Sequence, residues 1–298
     1  MLPILFIYKH TLSGGNLLKK LFLTYIIIII IISIFIPSDK NNYLSIHTID
    51  VGQGDSILIQ TPNYKNILID GGDESSHNIV SSYLKKHGVK TIDYIIATHF
   101  DSDHIGGLDN IIDKFNVLNI YAPNYETDTL SYKNLITSCS NKKLNLQYLS
   151  SDDFINIEDN LNITVLSPSY IQEKNNLNSI VFKIDYKNKS FLFTGDAESD
   201  NELDIINSYN LNDIDFLKIG HHGSSSSTTS KFVKEIRPDV AVISCGYKNQ
   251  YGHPHKSTLD TLEKNNVLTY RTDILGNIVF YSDGETIFTA KDYNVNKK

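Results

Sequence analysis

Apolar and polar residues alternate over residues 43–50, and two short apolar runs, 56–60 and 66–70, follow behind glycine-rich turns. Alternation with a period of two is the mark of a half-buried strand, so three early strands are expected as antiparallel neighbours. Ile79, Tyr83 and Leu84 then recur at helical spacing in a segment that stops at Gly88, and 94–98 is a short strand. A helix is expected over 108–115. A second series begins with strands at 163–166, 179–185 and 190–194, followed by a helix at 199–208 and a strand at 216–219. A helix at 229–236 halted by Pro238, a strand at 240–244 and a helix at 257–265 complete it. Two successive β-then-α halves predict an α/β (α+β) fold. Two sheets packed face to face with helices outside bury both sets of apolar strands, a four-layer αββα sandwich.

The stretch 21–37, LFLTYIIIIIIISIFIP, breaks this pattern. It carries no charge and follows Lys19 and Lys20. Its length is close to the ~20 residues of a bilayer span and well beyond the ~10 of a long strand. No small-x-small cleavage site follows it, which favours a retained signal anchor over a removed signal peptide. The expected organisation is a cytoplasmic segment 1–20, a transmembrane helix 21–37, a linker 38–42 and one domain over 43–298. The positive-inside rule places that domain outside the cytoplasm of a single-pass membrane protein, or in the medium if the segment is cleaved.

Composition narrows the functional classes. With 27 basic against 34 acidic side chains and a net charge of −7, the chain lacks the basic footprint of a protein that coats nucleic acid. Cys139 and Cys245 are far apart, so they form neither a zinc knuckle nor a disulfide framework, and Cys245 reads as a small buried residue ending an apolar run.

Of the ten histidines, His10, His47, His77 and His87 stand alone, and six fall in three polar, glycine-flanked clusters that follow predicted strands. Loops after strands are where distant segments converge on one site. The first cluster is His99-Phe-Asp-Ser-Asp-His104 followed by Gly106 and Gly107. An extended loop would point His99, Asp101 and Asp103 the same way, while the adjacent Asp103 and His104 would serve two different ions. Four imidazole or carboxylate groups in six residues are half of a two-metal site, since each divalent ion takes about four to six such ligands. An acidic capping turn would explain one aspartate, but not two with flanking histidines.

This pattern resembles the metallo-β-lactamase signature H-x-H-x-D-H with aspartate in place of the second histidine, a variant similar to the hydrolase domain of the ComEC competence-protein family. Further family-like motifs recur in order: Asp50-Val-Gly-Gln-Gly-Asp55, Leu68-Ile-Asp-Gly-Gly72, Thr194-Gly-Asp196, His221-His-Gly-Ser224 and Tyr251-Gly-His-Pro-His255. The resemblance covers most of 43–290 and implies a metallo-β-lactamase sandwich. It assigns His99 and Asp101 to one ion, Asp103 and His104 to the other, and Asp196 to the bridge between them. His221 or His222 would complete one sphere, and His253 would supply or support the remaining position. Asp70 would orient ligands through hydrogen bonds. Where the superfamily has another histidine, this chain offers only Asn175-Asn-Leu-Asn-Ser179, in which Asn178 or Ser179 substitutes loosely.

More carboxylate and less imidazole makes a harder site, which favours Mn²⁺ more than an all-histidine zinc site would, so the expected pair of divalent ions is Mn²⁺ or, by affinity order, Zn²⁺. The expected chemistry is attack by a metal-activated hydroxide, with Asp103 and Asp70 in the catalytic apparatus and the unbound histidine of the His221–His222 pair protonating the leaving group. His222 fits an orienting role as well as this catalytic one. Tyr121, Tyr125, Tyr247 and Tyr251 are candidates to line a cleft. The resemblance implies a phosphodiesterase or nuclease acting on extracellular nucleic acid. Two alternatives stand beside it: a hydrolase of another extracellular ester, such as phosphorylcholine or a lactone, and a catalytically silent surface binding module.

Overall fold

Strands β1 (Leu44–Thr48), β2 (Ile57–Gln60) and β3 (Asn66–Ile69) pair antiparallel in sequence order, as the alternation predicts. They belong to a computed structural model that describes residues 43–291 and Tyr293. The stretches 1–20, 21–37 and 38–42 lie outside the described residues. Among the described residues no helix is long and apolar enough to cross a membrane.

To β3 are added, in parallel, β4 (Thr91–Ile96), β5 (Asn116–Ala122) and β6 (Leu146–Tyr148). Strands β7 (Phe154–Glu158), β8 (Leu161–Ser167), β9 (Val181–Tyr186) and β10 (Lys189–Phe193) form an antiparallel run. It continues in parallel through β11 (Phe216–Lys218), β12 (Val240–Ile243) and β13 (Leu268–Arg271). The chain then returns to the first sheet, where β14 (Ile278–Ser282) pairs with β1 and β15 (Ile287–Phe288) closes the edge. The order is β15-β14-β1-β2-β3-β4-β5-β6 in one sheet and β13-β12-β11-β10-β9-β8-β7 in the other.

The period of two sorts side chains between layers. Ile57, Ile59, Ile67 and Ile69 meet Phe182, Phe191, Phe193 and Phe216 between the sheets. Leu58 and Leu68, one residue out of phase, face the helices α1 (His77–Lys86), α3 (Leu108–Lys114) and α4 (Leu130–Lys142) through Leu84, Leu108 and Leu135. Leu192, Leu217 and Ala241 face α5 (Ser199–Ser208), α6 (Ser230–Ile236) and α7 (Lys256–Lys264) through Ile205, Phe232 and Leu262. The αββα sandwich is therefore present, with three apolar layers between its four structural ones. The short helices α2 (Ser102–Ile105) and α8 (Thr272–Leu275) fill turns. Both cysteines are free and buried.

Strands β3 and β4 run parallel, as do β10, β11 and β12, so the turns after them all open at strand C-termini. Asp70, the His99 cluster, Asp196, the His221–His222 pair and Ser244 occupy those turns.

Candidate metal centre

Asp70 leaves β3 with a left-handed backbone (φ 56°) that turns its carboxylate inward. It accepts from Thr98 N–H (2.8 Å) and Thr98 Oγ–H (2.7 Å) and lies 2.8 Å from His104 Nδ1. A fully buried carboxylate needs such donors to offset its lost hydration. After β4 the chain stays extended only to Asp101 (ψ 148°), the N-cap of α2. Asp103 is therefore not the third member of an extended alternation, as its spacing suggested. It sits in a helical turn, where Asp103 and His104 diverge by about 100°.

Four groups converge. His104 Nε2 lies 3.3 Å from His222 Nε2 and 3.2 Å from Asp196 Oδ1. His222 Nε2 lies 3.3 Å from Asp103 Oδ2 and 3.4 Å from Asp196 Oδ2. The outer nitrogen of each ring faces an acceptor: Asp70 for His104, and the Ser244 carbonyl at 3.0 Å for His222. Those contacts hold the Nδ1 proton of each ring and leave Nε2 as the atom each ring would offer to a metal. The two Nε2 atoms and the two carboxylates face one another across one small space. Ligands about 2.1 Å from a tetrahedral ion lie about 3.4 Å apart, the spacing seen here.

The electrostatics agree. Burial opposes the imidazolium forms of His104 and His222, yet Asp196 outweighs it and holds both well above the usual histidine range. Burial likewise opposes ionisation of Asp103 and Asp196, yet the histidines draw Asp103 down to about 2 and Asp196 well below its usual range. The site demands positive charge, which the two imidazolium rings supply on their own and a divalent cation would supply on displacing their Nε2 protons.

A second group adjoins the first across Asp196. His99 Nε2 is buried with no hydrogen-bond partner and lies 3.6 Å from Asp101 Oδ2, while Asn175 Nδ2 donates to Asp101 Oδ1 at 2.8 Å. His221 Nε2 stands 3.8 Å from Asp196 Oδ2. Asp196 thus faces both groups, as a bridging carboxylate would. His221 and His222 both have left-handed backbones (φ 46° and 54°), a strain of about 1–3 kcal/mol each that sets adjacent imidazoles against Asp196 Oδ2. His253 is close by, its ring 5.5 Å from that of His221 and 6.3 Å from that of His222. Burial and the neighbouring imidazoles push its pKa down to about 4, and its buried Nδ1 lacks a partner.

The structure thus brings together His99, Asp101, Asp103, His104, Asp196, His221, His222, His253 and Asp70. It does not bring Asn178, whose side chain is spent on the Gln172 backbone, and Ser179 only accepts from Asp196 N–H. Asn175 and Asn176 are the residues of that stretch that face the site.

Two groups carried no role in the sequence reading. Asp55 and Lys218 are 2% and 1% exposed and form an ion pair of 2.8 Å. Asp55 also lies 3.4 Å from His222 Nδ1. Asp55, His104, Asp196 and His222 offer ligand atoms within 4.8 Å of one another. Asp55 approaches the Nδ1 side of His222, away from the converging Nε2 atoms, so its place is behind that histidine. Lysine in the apolar strand Phe216-Leu-Lys218 was the available signal, since a buried ammonium requires an acid.

The turn carrying Asp55 presses on the metal motif. Gly54 has φ +128°, and a Cβ there would lie 2.2 Å from the Asp103 carbonyl oxygen. Gly54→Ala is expected to displace α2, lowering divalent-ion affinity in titration calorimetry while costing about 1–3 kcal/mol of stability. Unchanged affinity would show that α2 tolerates the shift.

A profile of the metallo-β-lactamase superfamily matches residues 49–135 and 147–247. ComE operon protein 3 of Bacillus subtilis is 30% identical over 251 residues, covering 78% of this chain and 32% of the relative. Recombination protein 2 of Haemophilus influenzae is 31% identical over 240 residues, covering 78% and 28%. The chain therefore spans only about a third of the length of these curated relatives. Among solved structures, a metal-dependent hydrolase of the β-lactamase superfamily superposes with a TM-score of 0.53 at 15% identity, covering 76% of this chain and 96% of that one. At that identity the likeness concerns the fold.

Proposed function

The chain belongs to the metallo-β-lactamase superfamily of metal-dependent hydrolases, and from that premise we propose that it is a phosphodiesterase that cleaves nucleic acid. The observation that carries the hydrolytic part is the convergence of His104 Nε2, His222 Nε2, Asp103 and Asp196 on one point. The nucleic-acid part is supported by relatives named for competence and recombination.

In this reading Asp103, His104, Asp196 and His222 hold one divalent ion, and His99, Asp101, Asp196 and His221 the other, with His253 beside them. Such ions would acidify water toward neutral pH and neutralise charge developing on the phosphoryl oxygens. Asp70 fixes the His104 ring through its Nδ1, and Ser244 does the same for His222. His222 therefore serves better as a ligand than as the proton donor that one sequence reading made it. A thiol nucleophile is disfavoured: burial pushes Cys139 up to about 11, and burial with Asp273 pushes Cys245 up to about 12. Asp101, Asp103 and Asp196 make an oxygen-rich set that favours Mn²⁺ over Zn²⁺. The apolar stretch 21–37 supports an extracytoplasmic, membrane-tethered setting as part of the same proposal.

The test is elemental analysis of the purified full chain, followed by cleavage assays with Mn²⁺ or Zn²⁺ on DNA and on a chromogenic phosphodiester. Two bound ions per chain and Mn²⁺-dependent cleavage abolished by EDTA are expected. Turnover of phosphorylcholine esters or lactones with none of DNA would replace the substrate class. Absence of metal binding and of any turnover would sink the hydrolase reading in favour of a binding module.

A further inference from the structure

The loop after β12 carries two exposed aromatics, one of which stacks on His253 beside the metal centre. Tyr247 is the most exposed large apolar side chain among the described residues, at 72%, and Tyr251 is exposed by 55%. Scattered surface tyrosines need no explanation, but these two sit on a loop that is pinned. Asn249 lies between them and spends its whole amide on the backbone: Nδ2 donates to the Gly246 and His253 carbonyls, and Oδ1 accepts from Tyr251 and His253 N–H. Gly246 N–H is held by Gln53 Oε1 at 3.2 Å. The Tyr251 ring stacks on His253 (5.7 Å, 25°), whose ring in turn adjoins His221. Lys248 Nζ stands 5.2 Å from the Tyr247 ring centroid.

We infer that Tyr247 and Tyr251 form a stacking platform for unpaired nucleobases at the mouth of the metal centre, which makes single strands the nucleic acid this site takes. The inference rests on the phosphodiesterase reading and names its substrate class. A duplex hides its base faces, whereas a single strand presents them to any aromatic ring held open. Rigidity matters because a pre-ordered ring loses little freedom on binding. The overall charge of −7 argues in the same direction. Such a charge offers little general attraction for phosphates, so a strand is gripped through its bases, with Lys248 as a cation beside Tyr247.

The test measures binding of a fluorescent oligothymidylate in EDTA by anisotropy, for the wild-type chain, Tyr247→Ala and Tyr251→Ala. Each substitution is expected to weaken binding roughly 5- to 150-fold, the equivalent of one lost stack. The same strand with abasic sites should bind weakly and equally to all three, and the salt dependence should be shallow, with a slope near −0.7 for about one phosphate contact. Tyr247→Phe should bind like wild type, because stacking needs the ring and not the hydroxyl. Equal affinity of wild type and both alanine variants for the base-bearing strand would overturn the platform, as would preferential binding of duplex. Failure of the parent reading looks different: tyrosine-dependent binding would persist, with no phosphodiester hydrolysed on adding Mn²⁺.

Discussion

Asp196→Asn is expected to reduce phosphodiester hydrolysis by at least about 1,000-fold while leaving the fold intact. Asp196 faces both ligand groups, 3.2 Å from His104 Nε2, 3.4 Å from His222 Nε2 and 3.8 Å from His221 Nε2. No other carboxylate here approaches both groups. Removing its charge removes the bridge, and the several kcal/mol of charge stabilisation that bound ions contribute corresponds to about three orders of magnitude or more in rate. The amide keeps the side chain's shape, and its carbonyl oxygen can still accept from one of the two histidines. Asp196 also opposes ionisation of Asp103, a repulsion the substitution relieves. Asp196 is nonetheless the charge that holds His104 and His222 above the usual histidine range, so melting in EDTA should be lower than wild type, and metal content should fall to one ion or none. A variant within tenfold of wild-type activity would remove Asp196 from the bridging position.

How much of this was legible beforehand depends on where the information sits. The His99–His104 cluster was readable because its ligands are local: any fold that ends β4 there delivers them together. The αββα layering was readable because strands such as 57–59, 67–69 and 191–193 are apolar on both faces and so need cover on both sides. The elements within 116–158 are not legible in the sequence. Helix α4 buries only Tyr132, Leu135, Ser138 and Cys139, a thin stripe, and β6 is a three-residue strand with two residues exposed, so neither carries a strong periodic signal. The pairing of β14 with β1 is set by packing across the domain and leaves no trace in either strand alone. Within the site, the turn of α2 rotated Asp103 off the expected alternation. The contribution of Asn175 depended on a 3₁₀ turn that placed it against Asp101. The Asp55–Lys218 pair was hidden for the same reason: two distant charges become partners only when the sheets close over them.

That pair yields the largest expected effect on stability. Lys218→Met leaves Asp55 buried without its ammonium partner, and removing one partner of a buried pair costs about 3–5 kcal/mol. Lys218 Nζ also donates to the Ile219 carbonyl at 2.7 Å, a bond lost with it. In a domain of this size each kcal/mol moves the melting temperature by about 2–4 °C, so a fall of roughly 6–20 °C is expected by calorimetry. The pH dependence has a definite sign. Burial opposes ionisation of Asp55, but Lys218 and His222 hold it far below the usual carboxylate range. A depressed carboxylate stabilises the fold above its unfolded pKa near ~4 and loses that contribution as the pH falls below it. The gap between wild type and Lys218→Met should therefore narrow in acid. Pairing the change with Asp55→Asn removes the orphaned charge and should restore most of the stability. Divalent-ion affinity should nonetheless stay down by about 10- to 100-fold, because the carboxylate 3.4 Å behind His222 Nδ1 would be gone. A double variant that regains both stability and affinity would confine the pair to the core. One that regains stability alone ties Asp55 to the orientation of His222, and through it to the metal centre.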